Sequence, residues 1–71
     1  MSGVKAWAYF DDKGEIEIRS VSTTVQAAQV NALYFLGYIA MSHASEEMVN
    51  AMFNEAAPGT IRPVVISPAV N

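Results

Sequence analysis

The residues of this sequence with side chains suited to chemistry are one histidine, seven carboxylates and several serines. A metal centre or a catalytic pair needs at least two such groups at a defined spacing. His43 has no second histidine, no cysteine and no nearby acid at ligand spacing. We therefore expect a structural or solvent-facing histidine, and no catalytic and no metal-ligating residue.

The acidic residues near the N-terminus invite two chemical interpretations, and neither is favoured. Asp11, Asp12 and Glu15 lack the alternate spacing of a calcium-binding loop, and a tight turn accounts for each of them. Glu15 and Glu17 would share one face of a strand, as paired carboxylates do, but no surrounding cleft is marked. A solvated ion-pair lattice with Arg19 is the favoured interpretation.

Nucleophilic catalysis and nucleotide binding have no support either. The serines stand at expected caps or strand ends with no base beside them, and the glycines are isolated rather than clustered around a phosphate. The sequence predicts a protein that is not an enzyme and binds no cofactor.

Composition limits the remaining classes. The chain has 71 residues, a net charge of −3, 52% hydrophobic and 15% charged residues, and no cysteine. We expect one domain over residues 1–71, held together by packing without disulfides, and too acidic to bind nucleic acid or anionic lipid. The apolar run 32–41 is about half of the roughly 20 residues that span a bilayer, and the N-terminus has no secretion signal, so a cytoplasmic protein is expected.

A β-hairpin is predicted over residues 4–10 and 15–21, joined by an acidic turn that ends in Gly14. If Asp11 pairs with Glu15, alternation gives the hairpin two different faces. The expected core face carries Val4, Ala6, Ala8, Phe10, Ile16 and Ile18. The other face carries Lys5, Trp7, Tyr9, Glu15, Glu17 and Arg19, with Trp7 opposite Arg19. If no helix covers this face, Trp7, Tyr9 and Arg19 are candidate partner-binding residues; the alternative is that Trp7 only covers the sheet as a cation–π pair with Arg19.

A first helix is predicted to begin near Thr24 and to stop at Gly37. At about 100° per residue it has two apolar stripes. The expected core stripe is Val25, Ala28, Ala32, Phe35, Leu36 and Ile39. The opposite stripe is Ala27, Val30, Tyr34 and Tyr38. Val30 and Tyr34 are candidate partner-binding residues, because so short a chain has little material to cover a second stripe. Whether it would meet a foreign protein or a second copy stays open.

The second half of the chain predicts another helix and a last strand. Ser45 with Glu46 and Glu47 indicates a helix start, and the expected apolar stripe is Met48, Val49, Met52, Phe53 and Ala56. Residues 61–67 indicate a strand in which Pro63 favours an edge position or a bulge. Residues 38–42 fit either a last helical turn or a short strand, and we favour the strand.

Residues in the first half of the chain resemble the opening of small uncharacterised proteins of bacteriophages and prophages. The resemblance is carried by residues 5–8 (KAWA), 10–12 (FDD), 14–16 (GEI), 19–22 (RSVS), 27–28 (AA) and 30–31 (VN). It implies a phage accessory protein, a class in which compact acidic chains often work by occluding a host protein, as anti-CRISPR proteins do. It carries over no functional residue.

We therefore expect an α+β domain of order ββα(β)αβ, with both helices packed on one face of a three- or four-stranded antiparallel sheet. The expected function is non-enzymatic protein binding, as a phage-borne inhibitor or modulator of a host protein. The alternative is a subunit of a phage or prophage particle that associates with itself as a homodimer.

Overall fold

A computed structural model of the chain describes residues 3–38 and 43–67. It has two helices and a three-stranded antiparallel sheet, which confirms the predicted α+β class. In chain order the elements are β1 (Val4–Phe10), β2 (Ile16–Ser22), α1 (Val25–Phe35), α2 (Glu46–Ala56) and β3 (Thr60–Ile66). The strand favoured for residues 38–42 falls mostly outside the described residues, and Tyr38 itself is in neither a helix nor a strand.

The turn of the β1–β2 hairpin is built around one carboxylate. Asp11 Oδ1 accepts the backbone N–H groups of Lys13 and Glu15, each at 2.9 Å. The N–H of Asp11 donates to the carbonyl of Glu15 at 2.9 Å, and Gly14 adopts a φ of 82°. A side chain that bonds its own turn and a glycine with positive φ are the features that the sequence offers here, so the predicted turn is confirmed.

The strand order is β2-β1-β3, so the hairpin supplies the central strand and β3 is an edge strand. β1 pairs with β3 in one unbroken register, from Val4 opposite Ile66 to Phe10 opposite Thr60. Pro63 lies in this edge strand. A proline is tolerated there because an edge strand has a partner on one side only, so its missing N–H need not break a hydrogen bond of the sheet. The edge position predicted from Pro63 is confirmed.

The pairing of β1 with β2 is interrupted by a bulge that the sequence prediction lacks. Phe10 pairs with Ile16 and Tyr9 with Glu17 as expected, but Trp7 then pairs with Ser22 and not with Arg19. The inserted turn is held by Ser20, whose Oγ accepts the N–H of Tyr9 at 2.7 Å and donates to the carbonyl of Glu17 at 2.6 Å. This hydroxyl takes the place of a ladder partner, so the chain can bulge without leaving the buried N–H unpaired.

The helices pack on the sheet face opposite to the predicted one. Tyr9 belongs to the main core cluster, whose other buried members are Ala32, Leu33, Val49 and Phe53. Ala6 and Ala8 are fully buried but lie outside this cluster, and alternation along β1 places them on the other face with Phe10. The helices therefore do not cover the expected face: Ala6 and Ala8 are buried as predicted, but Val4 and Ile18 expose 56% and 68% of their surface.

Side-chain volume explains why the Tyr9 face is the one covered. Its ring meets the ring of Phe53 edge-on with centroids 5.8 Å apart, and its hydroxyl accepts the N–H of Gly59 at 3.0 Å. Alanines at positions 6 and 8 would leave the space under two helices unfilled, whereas one tyrosine fills it and also satisfies a loop N–H.

Helix α1 begins and ends where the sequence predicts. Thr24 accepts the N–H of Ala27 at 3.1 Å as the N-cap, and Gly37 follows the helix with a φ of 101°. The buried side of α1 differs from the expected stripe, since it consists of Ala28, Gln29, Ala32 and Leu33. Gln29 is tolerated there because its amide donates to Asn50 of α2 at 3.2 Å. Val25, Phe35 and Leu36, expected in the core, are 38–43% exposed.

Helix α2 follows the prediction more closely. Ser45 caps it by accepting the N–H of Met48 at 3.2 Å, and Glu46 and Glu47 lie in the first turn. Of the predicted stripe, Val49 and Phe53 are buried, Met52 and Ala56 pack against the core cluster, and Met48 stays 59% exposed.

Candidate protein-binding groove

Of the side chains considered for chemistry, the carboxylates of Asp11, Glu15 and Glu17 lie near one another at the end of the hairpin. His43 is exposed just before α2. Within residues 3–38 and 43–67, no three histidine, aspartate or glutamate side chains come together in a way that could hold a metal ion. None of the described helices has the length and apolarity to cross a membrane.

Of the hairpin residues predicted to bind a partner, Tyr9 lies under the helices. Tyr9 is 6% exposed and forms part of the core, so the condition for its place on a binding face, a side left uncovered by the helices, is not met. Trp7 shares its face and is half-buried opposite Ser22. Neither offers the large accessible aromatic surface that the sequence interpretation required.

The second stripe predicted on α1 is divided by the fold. Val30 is half-buried and packs against the core cluster. Tyr34, one helical turn later, is 58% exposed. Of the two predicted residues, Tyr34 alone offers a large accessible surface.

Arg19 and Tyr34 both contact Phe35, a residue that the sequence prediction assigned to the core. The guanidinium carbon of Arg19 lies 4.3 Å from the centre of the Phe35 ring, and the Tyr34 ring stands edge-on to the same ring at 5.4 Å. Arg19 Nη2 also donates to Glu17 Oε1 at 3.5 Å. Phe35 thus joins residues from the bulge of β2 and the end of α1 into one surface.

A groove of about 340 Å³ opens beside this cluster, between the hairpin end and the end of α1. We call it the hairpin–helix groove. It is lined by Tyr9, Asp11, Glu15, Ile16, Glu17, Ala32, Phe35 and Leu36. Its walls are apolar and aromatic, and three carboxylates stand at the hairpin side.

The charge of the groove is one-sided. Among its described lining residues there are three acids and neither a lysine nor an arginine. Asp11 commits Oδ1 to the turn, Glu17 is partly neutralised by Arg19, and Glu15 is exposed. The groove therefore combines apolar surface with an excess of acidic over basic side chains among its described lining residues.

Exposed apolar side chains continue from the groove along the end of α1. They are Ile16, Tyr34, Phe35, Leu36 and Tyr38, and each exposes between 38% and 58% of its surface. Sequence patterning missed Ile16, Phe35 and Leu36 because an apolar residue on a helical or alternating stripe is ordinarily assigned to the core. The sequence did offer one signal for this exposed surface: α1 has two apolar stripes, and so small a sheet can cover only one of them.

A second depression of about 360 Å³ lies along the start of α1, lined by Thr24, Gln26, Ala27, Val30 and Asn31. Its polar groups serve the fold, since Thr24 caps the helix and Asn31 donates to Ser22 Oγ at 2.8 Å. No charged or aromatic residue is among its described lining residues, which makes it the weaker candidate.

Comparisons of the chain with models of known protein families, with curated proteins and with solved structures find no match.

Proposed function

We propose that this protein is a non-enzymatic protein-binding module, and that it binds through the hairpin–helix groove and the exposed end of α1. The observation that carries the proposal is the concentration of large apolar side chains there. Tyr34, Phe35, Leu36 and Tyr38 lie within five residues of one helix end, and all of them remain more than a third exposed.

The cost of leaving this surface in water favours a partner. Apolar area removed from water contributes about 25 cal/mol per Å², and aromatic side chains contribute large areas while losing little rotamer freedom. Two tyrosines and a phenylalanine next to a groove have the composition of an interface centre, where truncating one aromatic commonly costs about 2 kcal/mol or more of binding.

The resemblance to phage proteins suggests the role that such binding would serve. A domain of 7.7 kDa that binds through one apolar surface can block a host protein by covering its working surface. We therefore propose an inhibitor or modulator of a host protein, in the manner of anti-CRISPR proteins, acting in the cytoplasm.

The experiment compares two equally exposed apolar residues on the two helices. Tyr34 is 58% exposed at the proposed surface, and Met48 is 59% exposed on α2. We expect the tagged wild-type chain and Met48→Glu to retain a stoichiometric partner from a bacterial host lysate, and Tyr34→Glu to retain at least tenfold less. Circular dichroism checks that both variants fold. Equal capture by Tyr34→Glu, or equal loss by Met48→Glu, would refute the proposed surface.

A second candidate function, self-association as an assembly subunit, is favoured by a separate patch at the other end of the sheet. Val4 and Ile66 pair across β1 and β3 and expose 56% and 47% of their surface. In sedimentation velocity, this candidate predicts a wild-type dimer that Ile66→Glu dissociates and Tyr34→Glu does not. A monomeric wild-type chain at high concentration would exclude it.

A further inference from the structure

An arginine already occupies part of the proposed surface. The guanidinium of Arg19 lies 4.3 Å from the Phe35 ring centre and 3.5 Å from a carboxylate oxygen of Glu17. An aromatic face beside a carboxylate is the environment in which a guanidinium is stabilised, because the ring attracts the cation and the carboxylate accepts its N–H groups. The contacts of Arg19 with Phe35 and Glu17 thus show that this surface accepts an arginine side chain.

Arg19 occupies this surface only in part. Its side chain is 71% exposed, and it makes one long hydrogen bond to Glu17 rather than a paired one. Two further carboxylates, Asp11 and Glu15, line the groove beside Glu17 and have no cation among the described lining residues. A surface ion pair of this kind contributes little to stability, so displacing Arg19 costs the fold little.

We infer that the partner of the hairpin–helix groove presents an arginine side chain to it, and that Arg19 competes with that side chain for Phe35 and Glu17. The inference rests on the proposed function of the groove. The incoming guanidinium meets the acidic hairpin side, while its methylene stem lies on the apolar surface of Phe35 and Leu36.

Arginine fits these features better than lysine or a neutral side chain does. The planar guanidinium can stack on Phe35 and still donate to carboxylates in its plane, whereas an ammonium is more strongly hydrated and has no face to stack. A neutral apolar side chain would fill the groove but would bring no cation to its three lining carboxylates.

The test uses three blocked peptides as probes: acetyl-Leu-Arg-Leu-amide, its lysine counterpart and its glutamine counterpart. Binding is followed by NMR titration of the backbone amides of residues 11–17 and 36. We expect the arginine peptide to bind about threefold or more tightly than the other two, since one cation–π contact corresponds to a two- to fivefold change in affinity.

The direction in which Arg19→Gln changes the affinity for the arginine peptide distinguishes competition by Arg19 from general charge attraction. Arg19→Gln should tighten binding of the arginine peptide about threefold, because it frees Phe35 and Glu17. Arg62→Gln is the matched control, since it removes the same charge from an arginine that lies over Phe10, 4.9 Å from the ring centre, on the other face of the sheet. Equal effects of the two variants would overturn the competition.

A second pair of variants tests the carboxylate. Glu17→Gln should weaken binding of the arginine peptide by about threefold, and Glu55→Gln, at an exposed position of α2, should leave it unchanged. If the arginine and glutamine peptides bind the groove equally, the arginine inference is overturned while the proposed function stands. If the arginine peptide leaves the groove amides unshifted, the arginine inference also fails. The proposed function is then decided separately, by whether Tyr34→Glu loses the partner captured from the lysate.

Discussion

Replacing Tyr9 tests which face of the sheet the helices cover. Its side chain is 6% exposed, and the ring meets Phe53 at 5.8 Å. Truncating a large buried aromatic residue to alanine typically costs about 3–5 kcal/mol. A chain of 71 residues has roughly 4–10 kcal/mol of total stability, so Tyr9→Ala should lose a large part of it and fold marginally.

The two contributions of Tyr9 can be separated by a smaller change. Tyr9→Phe keeps the ring against Phe53 and removes only the hydroxyl that accepts the N–H of Gly59 at 3.0 Å. One lost hydrogen bond of this kind costs about 1 kcal/mol, so Tyr9→Phe should remain folded with a lower urea midpoint.

Phe10, the next residue in the sequence, provides the control because its side chain lies on the opposite face of the sheet from Tyr9. Phe10→Ala removes a half-buried ring from the opposite side of β1 and should cost less than Tyr9→Ala, about 1–2 kcal/mol. Urea unfolding followed by circular dichroism measures all three variants on one scale. A Tyr9→Ala protein that is as stable as Phe10→Ala, or more so, would refute the assignment of the covered face.

Two further predictions concern backbone geometry and use the same unfolding measurement. Ser20→Ala should cost about 2–3 kcal/mol, because it leaves the N–H of Tyr9 and the carbonyl of Glu17 without their partner, whereas the exposed Thr23→Ala should change stability by less than about 0.5 kcal/mol. Gly59→Ala should destabilise by about 2 kcal/mol or more, because a Cβ there would overlap the carbonyl oxygen of Phe10. Gly14→Ala meets open space and should cost only about 1 kcal/mol, from its positive φ. Equal costs for the two glycine variants would contradict the close approach at residue 59.

The local elements were predictable because short-range chemistry determines them. Asp11 and Gly14 form the turn, and Thr24 and Ser45 cap the helices, each through a hydrogen bond or a φ value within a few residues. Pro63 identified the edge strand for an equally local reason, its missing N–H. Such signals do not depend on how the elements later pack.

The covered face was not predictable because β1 offers apolar residues on both sides. Val4, Ala6, Ala8 and Phe10 alternate with aromatics, so period-two patterning supports either choice. The decision depends on which side fills the volume beneath the helices, a tertiary quantity. The bulge at Ser20 is hidden for the same reason, since its hydroxyl is useful only once Tyr9 is buried.

The candidate site was partly predictable, and the missing part follows from the covered face. Arg19 and Tyr34 were both selected, yet from different surfaces, and no periodicity argument could join them. The bulge displaces Arg19 from its place opposite Trp7, and it lies over Phe35 at the end of α1 instead.

The aromatic side chains of the chain are thus divided between the core and the exposed end of α1. With the helices packed on the Tyr9 face, Phe35 and Leu36 at the end of α1 remain exposed beside an acidic turn. The same packing choice that stabilises the fold therefore creates the hairpin–helix groove. A variant that weakens the contact of Tyr9 with Phe53 should disturb both, whereas changes at Tyr34 or Arg19 should alter binding with little change in stability.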